Sequence, residues 1–396
     1  MTKQVQGERR LAGWIGAGAL AVAITTGAVA TAAQAQDSEV ELPNTMAWTA
    51  YGVGSSGYSQ AVAIGKAFKE AYGTNLRVLP GKNDISRMVP LREGRVHASA
   101  TGLASYFSQE GVFVFADRDW GPQKVRLLLT SIGKTNLAIG VAGDIGVDSI
   151  ADLEGKRVVW VRGAPALNYN VEAVLAFAGL SWDDVERVEF SGYGASWDGI
   201  VNDQADAAWA ITTSGKAVQL QSSPRGLTWP PMPHDDAEGW ERLRRKAPYM
   251  TKHVATDGAG LSEDDPHEGG TYPYPILTVY ADQKDELVYN LTKAMVEQYD
   301  AYKDDAPGAG GWSLDNQDFT WAVPYHEAAV SYFKEIGAWS DEAQAHNERL
   351  IERQNVLAEA WESYTADAPD GEEAFRNGWM EARADALESA GFEPVF

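Results

Sequence analysis

Apolar residues along this chain follow two periods that take turns. Short runs at 46–51, 76–79, 97–101, 125–129 and 136–141 read as strands. Between them apolar positions recur at helical spacing, as at Ala61, Ile64, Phe68 and Ala71. The alternation predicts an α/β protein with largely parallel sheets. From 144 onward the pattern starts again. Ser149 caps one helical turn, Gly155 stops it, and a strand ends at Trp160. A polar turn at 161–168 precedes a helix at 171–178, a strand at 188–190, a helix near 197–202 and a strand at 205–210. Residues 222–275 are rich in proline, glycine and charge, which predicts an irregular surface excursion. A strand at 276–280 then returns to the first lobe. Amphipathic stretches at 287–302, 342–364 and 372–390 predict helices packed against the lobes. The expected division is therefore 36–141 for a first lobe, 142–275 for a second, and 276–396 for the return and the C-terminal helices.

Residues 1–35 fall outside that scheme. Lys3, Arg9 and Arg10 precede an apolar run at 11–30, and Ala33-Gln34-Ala35 is a small-x-small cleavage site, so a signal peptide cut after about Ala35 is expected. No later run is long and apolar enough to span a bilayer.

Charge narrows the possible partners. The chain carries 33 Lys and Arg against 56 Asp and Glu, a net charge of −23, and loss of Lys3, Glu8, Arg9 and Arg10 with the leader takes the remainder to near −25. Such a surface repels nucleic acid and anionic lipid, although a positive pocket can sit inside it. There is no cysteine, which excludes thiol chemistry, disulfides and cysteine metal sites. The six histidines show no metal-ligand spacing, so neither a metal nor another cofactor is expected.

Gly52-Val53-Gly54-Ser55-Ser56-Gly57 spells a dinucleotide-binding turn, with a strand before it and a helix after it. The acidic residue that should follow about 20 residues on is missing, because the next strand ends in Pro80-Gly81-Lys82. What survives is a glycine turn feeding a helix N-terminus, where free N–H groups and the helix dipole favour an anion. A hydrolase using Ser55 or Ser56, with His253 or His326 as base, is the rival reading. Val53 stands where the nucleophile elbow needs glycine.

The order of these segments resembles the TAXI family, the substrate receptors of a class of TRAP transporters. Tyr51-Gly52-Val53-Gly54-Ser55-Ser56-Gly57-Tyr58 matches its glycine turn, Gly81-Lys82-Asn83-Asp84 its second turn and Arg162-Gly163-Ala164-Pro165 its third. Ala205-Asp206-Ala207-Ala208-Trp209, Gly270-Thr271-Tyr272-Pro273 and the segments 323–329 and 332–337 continue the match over nearly the whole mature chain. Lys82, Asn83 and Pro165 depart from the residues usual there. The resemblance implies a two-lobed periplasmic-binding-protein (Venus flytrap, type II-like) fold with additional C-terminal helices, and a monomer that passes a small organic anion to a TRAP-type membrane permease without an ATPase. A ligand-sensing periplasmic adaptor for a membrane kinase would use the same pocket.

In such a fold the ligand lies beyond the carboxyl ends of the strands, where turns of both lobes meet. The expected contacts are Tyr51, Gly54, Ser55, Ser56, Gly57, Tyr58, Lys82, Asn83, Thr101 and Ser105 from the first lobe. Arg162, Gly163, Ala164, Ala166, Asn168, Trp209, Thr212, Thr213 and Ser214 come from the second. Ser55 and Ser56 hold one carboxylate or cap their own helix. Arg162 takes a second carboxylate or answers an acidic neighbour. Tyr58 and Trp209 are ligand wall or core. A dicarboxylate such as 2-oxoglutarate, glutamate or succinate is the first-choice ligand, a monocarboxylate or polar amino acid the second, and an aromatic acid, prompted by the 14 tryptophans, the third.

Overall fold

The computed structural model describes residues 39–396, so the leader lies outside the described residues. In chain order the elements are β1 (Thr45–Ala50), α1 (Ser56–Tyr72), β2 (Asn75–Pro80), α2 (Asp84–Arg92), β3 (Ala98–Thr101), α3 (Leu103–Glu110), β4 (Val125–Thr130) and β5 (Leu137–Ala142). Next come β6 (Arg157–Val161), α4 (Pro165–Phe177), β7 (Glu186–Phe190), α5 (Tyr193–Val201), β8 (Ala207–Ile211), α6 (Gly215–Gln221), β9 (Leu227–Thr228), α7 (Ala237–Lys246), β10 (Thr251–Ala255) and β11 (His267–Thr271). The chain closes with β12 (Ile276–Tyr280), α8 (Asp285–Glu297), α9 (Tyr299–Tyr302), α10 (Glu327–Glu335), α11 (Asp341–Thr365) and α12 (Glu372–Ser389).

The strands form two five-stranded sheets, β2-β1-β3-β12-β4 and β7-β6-β8-β5-β9, and a ribbon of β10 with β11. Each sheet has a parallel core, β1 with β2 and β3 in one and β6 with β7 and β8 in the other. Each also contains an antiparallel strand that the chain inserts on crossing over: β12 beside β3 and β4, and β5 beside β8. The molecule is thus a two-lobed α/β protein. The two crossovers, 131–136 and 272–275, run side by side, and the Tyr274 N–H donates to the Ser131 carbonyl at 2.7 Å.

This topology corrects the expected boundary at 141. Strand β5 pairs with β8 along its length, Leu137 to Ile211 through Val141 to Ala207, so the chain changes lobe before Leu137. An apolar run shows that a strand exists but not which sheet receives it. A second correction concerns 222–275, which holds α7 and the β10–β11 ribbon. Trp240, Leu243 and Ala247 lie at helical spacing and are buried, with Trp240 stacked edge-on against Phe177 of α4. The charged residues around them obscured that period.

The C-terminal helices are tied to the first lobe by a buried charge cluster. Glu110, at the end of α3, accepts hydrogen bonds from Arg353 of α11 (Nε 2.8 Å, Nη2 2.7 Å) and from Arg383 of α12. Trp379 Nε1 donates to the Gly111 carbonyl at 2.7 Å. The terminal Phe396 ring meets Phe107 and Phe113 of the first lobe and Tyr169 of the second.

Candidate ligand-binding site

Helices α1, α2, α4, α5 and α6 all follow strands, so their N-termini gather beyond the strand ends, where the two sheets face each other. Local sequence sets each start. Ser55 caps α1, its Oγ accepting the Tyr58 N–H at 3.3 Å and donating to the Gly52 carbonyl at 2.7 Å. Asn83 and Ser86 form a reciprocal capping box on α2. Pro165 occupies the first position of α4, where its missing N–H costs nothing. Ser214 caps α6 and its hydroxyl meets that of Tyr193 at 2.5 Å.

Between these ends lies a cavity with room for the centres of water-sized molecules over about 40 Å³. Its walls are largely aromatic and aliphatic, with Tyr51 and Tyr274 on the first-lobe side, Trp209, Tyr193 and Leu137 from the second lobe, and Tyr272 at the crossover. Tyr51 lies 4.9 Å from Tyr274, centroid to centroid. Gly57 is small for a reason: a Cβ there would stand 2.7 Å from the Tyr51 ring. This glycine makes room for a tyrosine rather than for a pyrophosphate. Burial holds the Tyr51, Tyr193, Tyr272 and Tyr274 phenols well above their usual pKa, so they are neutral donors.

The charged centre of the cavity is Asp84 with Arg87. Asp84 is fully buried and Arg87 is 4% exposed. They form an ion pair through Asp84 Oδ1 and Arg87 Nη2, and Asp84 Oδ2 accepts the Ala166 N–H of α4 at 2.9 Å, a bond across the cleft. The Asp84 N–H returns it by donating to the Gly163 carbonyl at 3.1 Å. Arg87 also donates from Nε to Thr101 Oγ1 (3.4 Å), and its guanidinium lies 4.1 Å over the Tyr51 ring. Gly81 allows this approach, because a Cβ there would stand 2.4 Å from Arg87 Cγ. Burial pushes the Asp84 carboxyl upward, while Arg87 and the Ala166 N–H pull it back.

Of the residues expected from sequence, Tyr51, Ser55, Lys82, Asn83, Ala164, Ala166 and Trp209 line this cavity. Others join the lobes beside it. Thr213 Oγ1 donates to Ser56 Oγ at 3.2 Å, Asn83 Nδ2 donates to the Arg162 carbonyl at 3.1 Å, and Gly54 faces Gly215 closely enough that a Cβ on the latter would sit 2.8 Å from the Gly54 oxygen. Gly163 accepts from Asp84 as above, Gly57 backs Tyr51, and Thr101 holds Arg87. The rest serve the scaffold. Asn168 brackets the Val161 backbone (2.9 Å to both N and O), Ser105 donates to the Gly102 carbonyl, Thr212 donates to the Asp257 carbonyl, and Tyr58 packs on the core. The Arg162 side chain is exposed and is not among the lining groups.

Arg87, Asn170, Tyr193, Tyr272 and Tyr274 line the cavity without having been expected from sequence. Arg87 sits one turn inside a helix, where an arginine usually faces solvent. Tyr193 could have been found, since it opens the helix after a strand like every other turn of the site. Ser55 and Ser56 donate their hydroxyl protons to the Gly52 and Pro307 carbonyls, while His253 meets Asn136 and His326 accepts the Ala328 N–H. No Ser–His pair of the hydrolase kind is therefore present among these residues.

A protein-family profile described as the NMT1-like family matches residues 49–337. The chain belongs to the NMT1-like family. That match runs from the end of β1 through α10 and includes every turn of the site. Among solved structures, the alkanesulfonate-binding protein SsuA from Xanthomonas axonopodis pv. citri bound to MOPS is similar at 14% identity and a TM-score of 0.42, over 82% of this chain and 93% of that one. The periplasmic aliphatic sulphonate binding protein SsuA from Escherichia coli is similar at 13% identity and a TM-score of 0.40, over 89% of each chain. An ancestral arginine-binding protein bound to arginine is similar at 14% identity and a TM-score of 0.42, over 67% of this chain and 97% of that one.

Proposed function

We propose that this protein is an exported solute receptor of the TAXI type, which captures a small organic acid between its lobes and delivers it to a TRAP-type membrane permease. The observation that carries the reading is a buried arginine, Arg87, at the wall of an aromatic cavity onto which several helix N-termini converge. A guanidinium with two of its N–H donors engaged keeps others for a carboxylate, and the helix ends add their dipoles. The tyrosines and Trp209 supply neutral donors and an apolar wall for the stem of the acid. Export rests on the leader residues Lys3 to Ala35, and the permease on the order of the family motifs.

The cavity holds only a few water molecules at roughly 10–15 Å³ each, so a ligand of several carbon atoms must enter by parting the lobes. Motion about the paired crossovers would do this, with binding selecting the closed form.

A thermal-shift screen of the mature chain, from Gln36 on, tests the reading. A ligand confined to the folded state at a hundredfold excess over Kd adds about 2.7 kcal/mol of stability. A small organic acid is expected to raise the midpoint. A rise with NAD or sugars alone would overturn the proposal.

A further inference from the structure

The cation at the heart of the cavity comes with its own anion. Arg87 and Asp84 are both buried and paired, and both Asp84 oxygens are used, one by Arg87 and one by the Ala166 N–H. The other charged residue of the wall is Lys82, which is exposed at the rim. Every remaining lining side chain is neutral. The buried wall therefore carries no net charge, and a carboxylate bound to Arg87 would sit beside a second carboxylate already fixed there.

We infer that Asp84 determines specificity, restricting the site to ligands with a single carboxylate and an uncharged or cationic remainder against the aromatic wall. The inference rests on the reading of the cavity as an organic-acid site and narrows it. A dicarboxylate would bring a further negative charge against a buried, neutral wall, where an unpaired charge is costly and like charges repel. An ammonium or amide at the same place can instead bond the neutral tyrosines or the Asp84 side. Asp84 thus does two jobs with one group: it closes the cleft onto α4 and it offsets the charge of Arg87.

Isosteric pairs that differ only in an amide for a carboxylate read this charge selection directly: glutamine against glutamate, and succinamate against succinate. Titration calorimetry on the intact mature protein should show the amide member of a binding pair at least tenfold tighter. Asp84→Asn, which keeps the shape and leaves Arg87 unopposed, should shrink that ratio at least tenfold or reverse it. A wild-type preference for the dicarboxylate would overturn the inference while leaving the organic-acid reading intact. An unchanged ratio in a folded Asp84→Asn protein would do the same. The wild-type ratio stands as a test even if the variant does not fold. If no member of either pair binds and no other acid does, the reading itself falls and the inference with it.

Discussion

Replacing Arg87 with methionine is expected to cost the protein its affinity for a carboxylate ligand by two orders of magnitude or more, whereas Arg162→Ala leaves that affinity within about threefold. The difference follows from burial. Truncating one member of a desolvated, hydrogen-bonded charge contact typically costs about 2–5 kcal/mol, and Arg87 is 4% exposed, stacked on Tyr51 and within reach of the cavity. Arg162 is exposed, so its charge is screened by water and salt. Arg87→Met also leaves Asp84 buried without its partner, which destabilises the fold by itself. The double variant Arg87→Met with Asp84→Asn removes that orphan charge, and calorimetry on it separates the loss of binding from the loss of stability. Wild-type affinity in Arg87→Met, or a large loss in Arg162→Ala, would move the site away from Arg87.

The second large effect lies far from the cleft. Glu110→Gln should lower stability by about 3–5 kcal/mol, because it strands two buried guanidiniums where one carboxylate now answers both. The melting temperature is expected to fall by on the order of 10 °C. Acid should erase the difference. Burial alone would raise the Glu110 pKa, yet Arg353 and Arg383 hold it below the ordinary value. Its stabilisation is therefore fully present above the unfolded pKa of about 4.3 and is lost as pH falls through the lower folded value. Replacing the whole cluster, with Glu110→Leu, Arg353→Met and Arg383→Met together, should recover much of the loss, since apolar residues of similar volume carry no desolvation penalty. A Glu110→Gln protein that melts with the wild type would show that the Glu110 carboxylate does not hold the C-terminal helices in place.

The sequence was informative where local rules decide the outcome. Gly52 to Gly57 after a strand, the Ser149 cap with the Gly155 stop, and the periodic helices at 342–364 and 372–390 each announce themselves within a few residues, and the structure has helices or turns at all of them. It was less informative where the answer depends on partners distant in the chain. Whether β5 joins the first or second sheet is decided by β8, some 70 residues later. The same holds in the site. Ser55, Asn83 and Ala166 lie on turns that any βα unit would offer, whereas Arg87 matters because Gly81, Tyr51 and Thr101 make a buried place for it. Arg162 stands on such a turn as well, yet the Asn83 contact uses its carbonyl and leaves the residue exposed.

An organic acid that binds between the lobes should fix them together. Because the chain has no cysteine, single cysteines in place of Val62 on α1 and Val218 on α6, both 46% exposed, would carry spin labels at two defined points on opposite sides of the cleft. Pulsed dipolar spectroscopy should show the distance between them shorten and its distribution narrow at saturating ligand, and the same ligand should leave the Arg87→Met distribution unchanged. A distribution that ignores a ligand already shown to raise the melting temperature would place the binding site elsewhere and contradict the account.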